Sequence, residues 1–314
     1  MRSFLFVCLI LLVACRSLPP LPDWQVERTR QENGPGTILD LRSGASLTPE
    51  QLVERLASAP RLLVGEKHDN PDHHVLQSWL LEALAGRRAQ GSLLLEMLEP
   101  DQQARVTATQ AAFAAGRAPE DLPAALAWRQ GWDWALYGPL LRYALAQPYP
   151  LLAANLDRQE MSRIYAERPE LSGPASNDAR VREALLAQIG ASHCGQLPAS
   201  QLPAMLAVQQ QRDRRMAERL LAAPQPALLL AGAYHVRRDL GVPLHLADLG
   251  GASGSIVLLL AEVGDVVEAK AADYVWYTPA TQLRDYCAEM RATGEQAKRP
   301  GGAGSKTVIS LMRR

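Results

Sequence analysis

The sequence predicts an α/β fold with a mostly parallel central sheet flanked by helices. Five short apolar runs are bounded by turn-forming residues, and each is continuously apolar rather than alternating, which is typical of strands buried on both faces of a parallel sheet. Helical stretches separate these runs, and strands that alternate with helices indicate a layered α/β architecture. The predicted strands cover residues 61–66, 92–97, 150–155, 227–232 and 255–260.

The first predicted helix begins after Thr48, which is a suitable N-cap, and runs to about Ser58. The gaps that follow the second and third strands are long and helical. We therefore expect residues 101–147 and 160–222 to be helical insertions that cover one end of the sheet and form a smaller helical subdomain. The other predicted helices cover residues 71–90, 101–115, 134–146, 178–189 and 198–223.

Residues 1–15, MRSFLFVCLILLVAC, are typical of a bacterial lipoprotein signal peptide. Arg2 precedes an apolar stretch of about eleven residues, too short for a helix that crosses a bilayer, which needs roughly 20. The stretch ends in Ala14 and Cys15 and resembles a lipobox. At a lipobox, signal peptidase II cleaves before the cysteine, and the cysteine thiol carries a diacylglycerol. The alternative is an ordinary signal peptide with a chance cysteine. We expect a lipidated Cys15, and Arg16 after it favours the outer membrane, facing the periplasm.

Four segments are expected along the chain. The signal peptide is followed by a Pro-rich polar spacer, residues 16–40, that would hold the domain off the lipid. Residues 41–265 form the α/β domain. Residues 266–314 form a C-terminal extension that is rich in glycine and charge near its end and is expected to be partly mobile.

The composition argues against a nucleic-acid partner and does not decide whether two of the cysteines form a disulfide. Basic and acidic side chains both number 33, so the net charge is zero and nothing indicates a nucleic-acid partner, which requires a strongly basic face. Cys8 leaves with the signal peptide and Cys15 is lipidated, so Cys194 and Cys287 remain in the domain. In an oxidising compartment these two could form one disulfide, but their spacing does not decide it.

Polar side chains gather where the predicted strands end. Glu66 ends the first strand with His68 two residues later, Glu96 lies in the second, and His235 follows the fourth, each histidine three residues after a glycine. Ligands of open parallel sheets bind beyond the carboxyl ends of the strands, so these residues mark a candidate site. A buried acid such as Glu96 also needs a partner. The alternative is a pair of structural histidines.

Several motifs together resemble the ChaN-type haem-binding lipoproteins of the Tiki-like superfamily, over about residues 40–262. The resemblance implies haem binding in iron acquisition at the outer membrane, beside a TonB-dependent haem receptor. It also implies a tyrosine ligand to the haem iron and a dimer that stacks two haems. The motifs are GEKHDN at 65–70 with His73 and His74, Glu96-Met97, WDWALY at 132–137, Ala154-Asn155, CGQLP at 194–198 and GAYHVR at 232–237.

Two tyrosines are candidates for that ligand. Tyr137 is favoured because it lies in the motif shared with the family. Tyr234 is the alternative, at a position where relatives are expected to carry a small residue. It would either be a ligand particular to this chain or fill space that relatives leave open.

Other residues fit the remaining parts of a haem, which is an apolar plate with two carboxylates. Trp134, in an aromatic segment that begins at Trp128, could line the plate, although the segment could equally be a tryptophan core packed on the sheet. Arg237 could pair with a propionate. His68 and His235 would orient the tyrosine or meet the haem.

A metal-dependent hydrolase of the Tiki or erythromycin-esterase-like type is the rival interpretation. His68, His235 and Glu96, or Glu66 in its place, supply two imidazoles and a carboxylate, the minimal set for a catalytic zinc or another divalent metal. The chain lacks a His-Glu-X-X-His motif. Its motifs resemble the haem-binding branch more closely, so haem is preferred.

Overall fold

A seven-stranded sheet runs through the structure, a computed structural model that describes residues 17–26, 34–251, 253–282 and 287–288. The signal peptide with Cys15, and residues 289–314 of the expected C-terminal extension, lie outside the described residues. The strands are β1 (Ile38–Asp40), β2 (Arg61–Glu66), β3 (Ser92–Leu95), β4 (Leu151–Ala153), β5 (Ala227–Gly232), β6 (Ser255–Glu262) and β7 (Tyr274–Thr278).

The helices separate the strands as the α/β prediction requires. Thr48 caps the first of them through a reciprocal pair of hydrogen bonds with Gln51, as its position predicted. The helices are α1 (Pro49–Ala57), α2 (Pro71–Ala85), α3 (Gln103–Ala114), α4 (Leu122–Ala125), α5 (Trp134–Leu145), α6 (Arg158–Glu167), α7 (Ala179–Ser192), α8 (Leu202–Ala222), α9 (Ala233–Val236) and α10 (Val242–Asp248).

The sheet order is β1-β7-β6-β2-β5-β3-β4, with every neighbouring pair parallel except β1 and β7. The mostly parallel α/β prediction is therefore confirmed. β2 lies at the centre, between β5 and β6. Because the parallel strands all end at the same side of the sheet, the segments after β2, β3 and β5 meet at one edge, called the carboxyl edge below.

The core consists of two apolar layers, one on each face of the sheet. On one face, residues of α1, α2 and α5 pack against alternate strand residues such as Leu62 and Leu93. On the other face, residues of α8, α9 and α10 pack against the residues between them, such as Leu63 and Leu94. Helices on both faces explain why the strands are continuously apolar.

The sheet extends beyond the expected bounds of 41 and 265. β1 lies before residue 41, and β7, with Trp276 almost fully buried, lies inside the expected C-terminal extension. Both strands are at one end of the sheet and are only three and five residues long. Short edge strands of this kind give a weak sequence signal.

The two predicted helical insertions behave differently. The insertion at 101–147 joins the main core through Val106, Tyr137 and Leu140, so it is not a separate subdomain. The insertion at 160–222 has small apolar clusters of its own, where α6 and α7 pack against α8, before α8 reaches the sheet. Among the helices of the described segments, none combines the length and apolar content needed to span a bilayer.

The expected spacer is partly docked on the domain. We call residues 17–26 the strap. Its Leu18 and Trp24 pack against the main core, and the Trp79 Nε1 donates a hydrogen bond of 3.0 Å to the Pro19 carbonyl oxygen. The backbone N–H groups of Gln25 and Val26 donate to the Asp72 carboxylate. The structure therefore places residues 17–26 against the domain, within the range that the sequence predicted to be a free spacer.

Cys194 and Cys287 form a disulfide, which settles the pairing that the sequence left open. Cys194 follows α7, and its φ of 56° together with that of Gly195 at 64° turns the chain back toward α8. The bridge ties this turn to the segment after β7 across a sequence separation of 93 residues.

Candidate functional site

The first cluster at the carboxyl edge surrounds Glu66, the last residue of β2. The Tyr137 hydroxyl donates to Glu66 Oε1 at 2.7 Å, and His68 Nδ1 lies 2.8 Å from the same oxygen. From α2, His74 Nε2 donates to the His68 carbonyl oxygen at 3.0 Å and lies 3.3 Å from Glu66 Oε2. Glu66, His74 and Tyr137 are buried, whereas the His68 side chain is 30% exposed and stands edge-on to Trp132.

The charges of this cluster stabilise one another. Burial alone would raise the pKa of Glu66, but His74 and His68, with the Tyr137 hydroxyl, bring it below its usual range. Burial would lower the pKa of His68, but Glu66 and then Glu96 raise it to about 9, so His68 is a cation at neutral pH. Burial and the nearby carboxylates raise the pKa of Tyr137, which keeps its phenol protonated.

The second cluster surrounds Glu96, which follows β3. Arg212 of α8 forms a buried ion pair with Glu96 Oε1, and the Gly232 N–H donates to Oε2 at 2.7 Å. His235 Nε2 lies 3.4 Å from Oε1, while its Nδ1 donates to Asp213 at 2.5 Å. Arg212 makes the closest contact among the partners that a buried acid in a run of leucines requires.

Burial would raise the pKa of Glu96, but His235, Arg212 and His68 lower it to about 2. His68 connects the two clusters, since its Nε2 lies 4.0 Å from Glu96 Oε2. A Cβ on Gly232 would lie 2.8 Å from this same Nε2, so the glycine of the second Gly-X-X-His motif makes room for the histidine of the first.

His73 lies outside both clusters. Its Nδ1 accepts from the Lys67 N–H at 2.8 Å, and its Nε2 donates to Thr278 at 3.0 Å. Burial lowers the pKa of His73 to about 3, so it is a neutral structural residue.

The rival metal site has the expected ligand types but not their arrangement. His68, Glu96 and His235 do meet at the carboxyl edge, as the sequence predicted. However, the Glu96 carboxylate is already paired with Arg212. Within the described ranges, no group of three or more His, Cys, Asp or Glu side chains is arranged to hold a metal ion.

The two candidate tyrosines differ sharply in exposure. Tyr137 is 1% exposed, with its hydroxyl directed at Glu66 inside the core. Tyr234 is 46% exposed on α9, the single helical turn that follows β5. The Arg237 guanidinium lies 5.9 Å from the Tyr234 ring centroid and forms a two-point ion pair with Asp239.

α9 is held firmly beneath Tyr234. His235 and Val236 are buried, and His235 is fixed by Asp213. A Cβ on Gly65 would lie 2.5 Å from a Val236 methyl and 2.9 Å from the Ala233 Cα, so only glycine in β2 allows this helix to approach. The glycine of the first Gly-X-X-His motif therefore makes room for α9, the helical turn that contains the histidine of the second motif.

Trp134 lies apart from Tyr234, in the aromatic group of α5. Its ring packs edge-on to Trp128, which also contacts Tyr137. The outer side of Trp134 lines a shallow surface groove with Pro139 and Tyr143. Trp134 therefore packs against the core with one side of its ring and lines the protein surface with the other.

The sequence interpretation missed Arg212 and Asp213. Both lie within α8, inside a predicted helix, but were not assigned to the site. A signal was available, because Met205, Arg212 and Met216 are spaced so that the arginine falls on the apolar face of the helix. A buried arginine on that face requires a buried acid opposite it.

Comparisons with known proteins identify the family and the fold. Residues 52–246 match the family model described as "Haem-binding uptake, Tiki superfamily, ChaN". A solved structure described as cofacial haem binding to ChaN of Campylobacter jejuni is similar to the chain, with a TM-score of 0.70 and 30% sequence identity. The similarity covers 78% of this chain and 97% of that one.

More distant similarities are weak. An erythromycin esterase, EreC, in its open conformation has 13% identity and a TM-score of 0.43, over 83% of this chain and 86% of that one. A protein from Bacillus cereus has 11% identity and a TM-score of 0.40, over 68% of each chain. No match was found among curated proteins.

Proposed function

Because the chain belongs to the ChaN family of haem-binding uptake proteins, we propose that it binds haem on the surface around Tyr234 and serves in iron acquisition. The single observation that carries the choice of surface is the exposed Tyr234 side chain, 46% accessible on a rigidly held turn at the carboxyl edge. A phenol oxygen of this kind is a suitable axial ligand for ferric haem.

Burial reverses the preference between the two tyrosines. To reach a haem, Tyr137 would have to break its hydrogen bond to Glu66 and leave the core, and its raised pKa opposes loss of the phenolic proton. Tyr234 needs no such opening. We therefore assign the iron ligand to Tyr234 and a supporting role beneath the site to Tyr137.

Arg237 provides the cation for a propionate. Its guanidinium already lies beside the Tyr234 ring, and the ion pair with Asp239 fixes its orientation. A partly exposed guanidinium that is already paired with one carboxylate can donate further hydrogen bonds to a second one. His68, at 30% exposure, is another cation at the carboxyl edge that is open to a ligand.

The proposal also includes a cellular place for the protein. The lipobox-like sequence at Ala14-Cys15 supports a lipoprotein of the outer membrane that works beside a TonB-dependent haem receptor. The Cys194–Cys287 disulfide supports an oxidising compartment outside the cytoplasm. We further propose that haem binding produces a homodimer, as the family resemblance implies.

Titration of haemin into the protein lacking residues 1–15 tests this function. We expect a saturable Soret band and the ferric charge-transfer band of a tyrosinate complex, with light scattering reporting a dimer at saturation. Tyr234→Phe should abolish the charge-transfer band and weaken binding by about tenfold or more, equivalent to about 1.4 kcal/mol.

Tyr137→Phe is the matched control, because it removes a phenol that is not exposed. Its haem spectrum should equal that of the unchanged protein. If Tyr137→Phe alone alters the spectrum, the ligand assignment is wrong although haem binding stands. Absence of saturable haemin binding, with zinc present at one ion per chain, would replace the haem function with the metal-dependent alternative.

A further inference from the structure

The strap runs along α2 in a fixed direction. Its last residues, Gln25 and Val26, bond to Asp72 in the first turn of α2. Pro19 bonds to Trp79 in the middle of the helix, and Ser17 lines a groove that includes Arg87, beyond the helix C-terminus. The strap is thus antiparallel to α2, with its earliest residues toward the end of the helix.

The two ends of α2 lie at opposite edges of the sheet. α2 begins just after β2 ends, at the carboxyl edge that carries the candidate site. After its last turn, Arg88 donates a hydrogen bond of 2.5 Å to the Ala59 carbonyl oxygen, directly before β2 begins, at what we call the amino edge. With 15 residues, α2 spans about 22 Å between these edges.

Cys15 precedes Ser17 by only two residues, which reach at most about 7 Å when extended. A lipid on Cys15 would therefore enter the bilayer close to the groove lined by Ser17 and Arg87. The chain between them is too short to bring that lipid to the carboxyl edge while the strap stays docked.

From this geometry we propose that the anchored domain rests with its amino edge toward the membrane and presents the Tyr234 surface away from it. The partner of the amino edge is the bilayer that holds the protein's own lipid. The proposal rests on the proposed lipidation of Cys15. Its consequence is that haem is exchanged with a partner in solution or with a receptor domain that projects from the membrane.

Fluorescence quenching on vesicles tests the orientation. The full chain is expressed in its bacterial host, purified with its lipid and reconstituted in phosphatidylcholine vesicles that contain nitroxide-labelled headgroups. An introduced cysteine can be labelled selectively, because Cys194 and Cys287 are bridged and the proposed diacylglycerol occupies the Cys15 sulfur. Glu54→Cys, 69% exposed beside Arg87, reports on the amino edge, and Val266→Cys, 90% exposed four residues after β6, reports on the carboxyl edge.

We expect the label at 54 to be quenched at least about twofold more than the label at 266, given edges about 22 Å apart. Equal quenching, or stronger quenching at 266, would overturn the proposed orientation. A Gly-Ser linker of about 20 residues between Arg16 and Ser17 is the matched control. Its reach of about 25 Å exceeds the length of α2, so the difference should disappear. A difference that survives the linker would show that the strap does not set the orientation.

Vesicle flotation separates this outcome from failure of the anchor. The unchanged chain should float with the vesicles and carry the mass of a lipidated N-terminus, and Cys15→Ser should not. An unchanged chain that stays in the soluble fraction refutes the lipid anchor, and the orientation with it. Flotation with the opposite quenching pattern refutes the orientation alone.

Discussion

Glu66 and Glu96 show why the carboxyl edge is rigid. Each is a buried carboxylate whose desolvation is offset by its partners. Tyr137 and His68 donate hydrogen bonds to Glu66, and His74 lies 3.3 Å from its second oxygen. Arg212 and the Gly232 N–H donate to Glu96. Removing one member of such a set leaves a buried charge without compensation. The network therefore fixes the floor beneath α9, on which Tyr234 stands.

The raised pKa of His68 makes stability depend on pH. Its ordinary pKa of 6.5 rises to about 9 in the folded chain, so its contribution is complete below pH 6.5 and is lost as the pH rises through 9. The pKa of Glu96 is lowered to about 2, so its contribution to the free energy of unfolding is complete above pH 4.5 and is lost only as the pH falls toward 2. Because His68 is partly exposed, we expect the free energy of unfolding to fall by about 1–2 kcal/mol between pH 6.5 and 9.5. Urea denaturation across this range measures it.

His68→Gln provides the comparison for that measurement. The variant lacks the titrating group, so its free energy of unfolding should be lower at pH 6.5 and nearly flat up to pH 9.5. An alkaline loss as large in the variant as in the unchanged chain would assign the effect to a different group.

At the scale of elements, the start of α2 is a junction as well as a helix end. Asn70 is fully buried there, and its Oδ1 accepts from the Asp72 N–H at 2.9 Å. Its Nδ2 donates to Glu262 at 2.8 Å and to the Pro279 carbonyl oxygen at 3.1 Å. One side chain thus caps α2 and joins it to the ends of β6 and β7.

Asn70→Ala should therefore cost more than loss of an ordinary cap. We expect a fall of about 2–4 kcal/mol in the free energy of unfolding, from the lost cap and from the unpaired acceptors left behind. Asp178→Ala is the control, because Asp178 caps the N-terminus of α7 from an exposed position and should cost about 1 kcal/mol. Equal costs in urea denaturation would refute the junction role.

Sequence patterns predicted the long and buried elements best. The predictions for β2 and β5 match the observed bounds, because uninterrupted apolar runs between turn residues leave little choice. β1, β7 and α10 were not predicted, and α6 lies mostly inside the expected helical insertion at 160–222 but was given no bounds of its own. The prediction for α2 continued to residue 90, although the helix ends at Ala85.

The site was predicted only in part, because a sequence shows where strands end but not which distant residues meet there. The two Gly-X-X-His motifs correctly located the carboxyl edge, because strand ends can be identified in a sequence. Arg212 was missed because its partner Glu96 is 116 residues away in the chain. The exposure of Tyr234 and the burial of Tyr137 depend on how α9 and α5 pack, which no local pattern encodes.

At the scale of the whole molecule, the Cys194–Cys287 disulfide should be a large contribution to stability. For a separation of 93 residues, the loop-entropy model gives about 4–5 kcal/mol. We expect a reductant to lower the free energy of unfolding by about this amount. The double variant Cys194→Ser with Cys287→Ser should unfold like the reduced protein and should not respond to reductant. An unchanged chain that is insensitive to complete reduction would contradict the expectation.

The same disulfide also makes the second half of the fold a covalent ring. The ring contains α8, β5, β6 and β7, and β2 lies between two of its strands. A protease that cut one exposed loop inside this ring, such as the loop from β6 to β7, would produce no free fragment. The two fragments would remain joined by the disulfide, with β2 still hydrogen-bonded on both sides. We therefore expect a single cut to leave the Tyr234 surface in place.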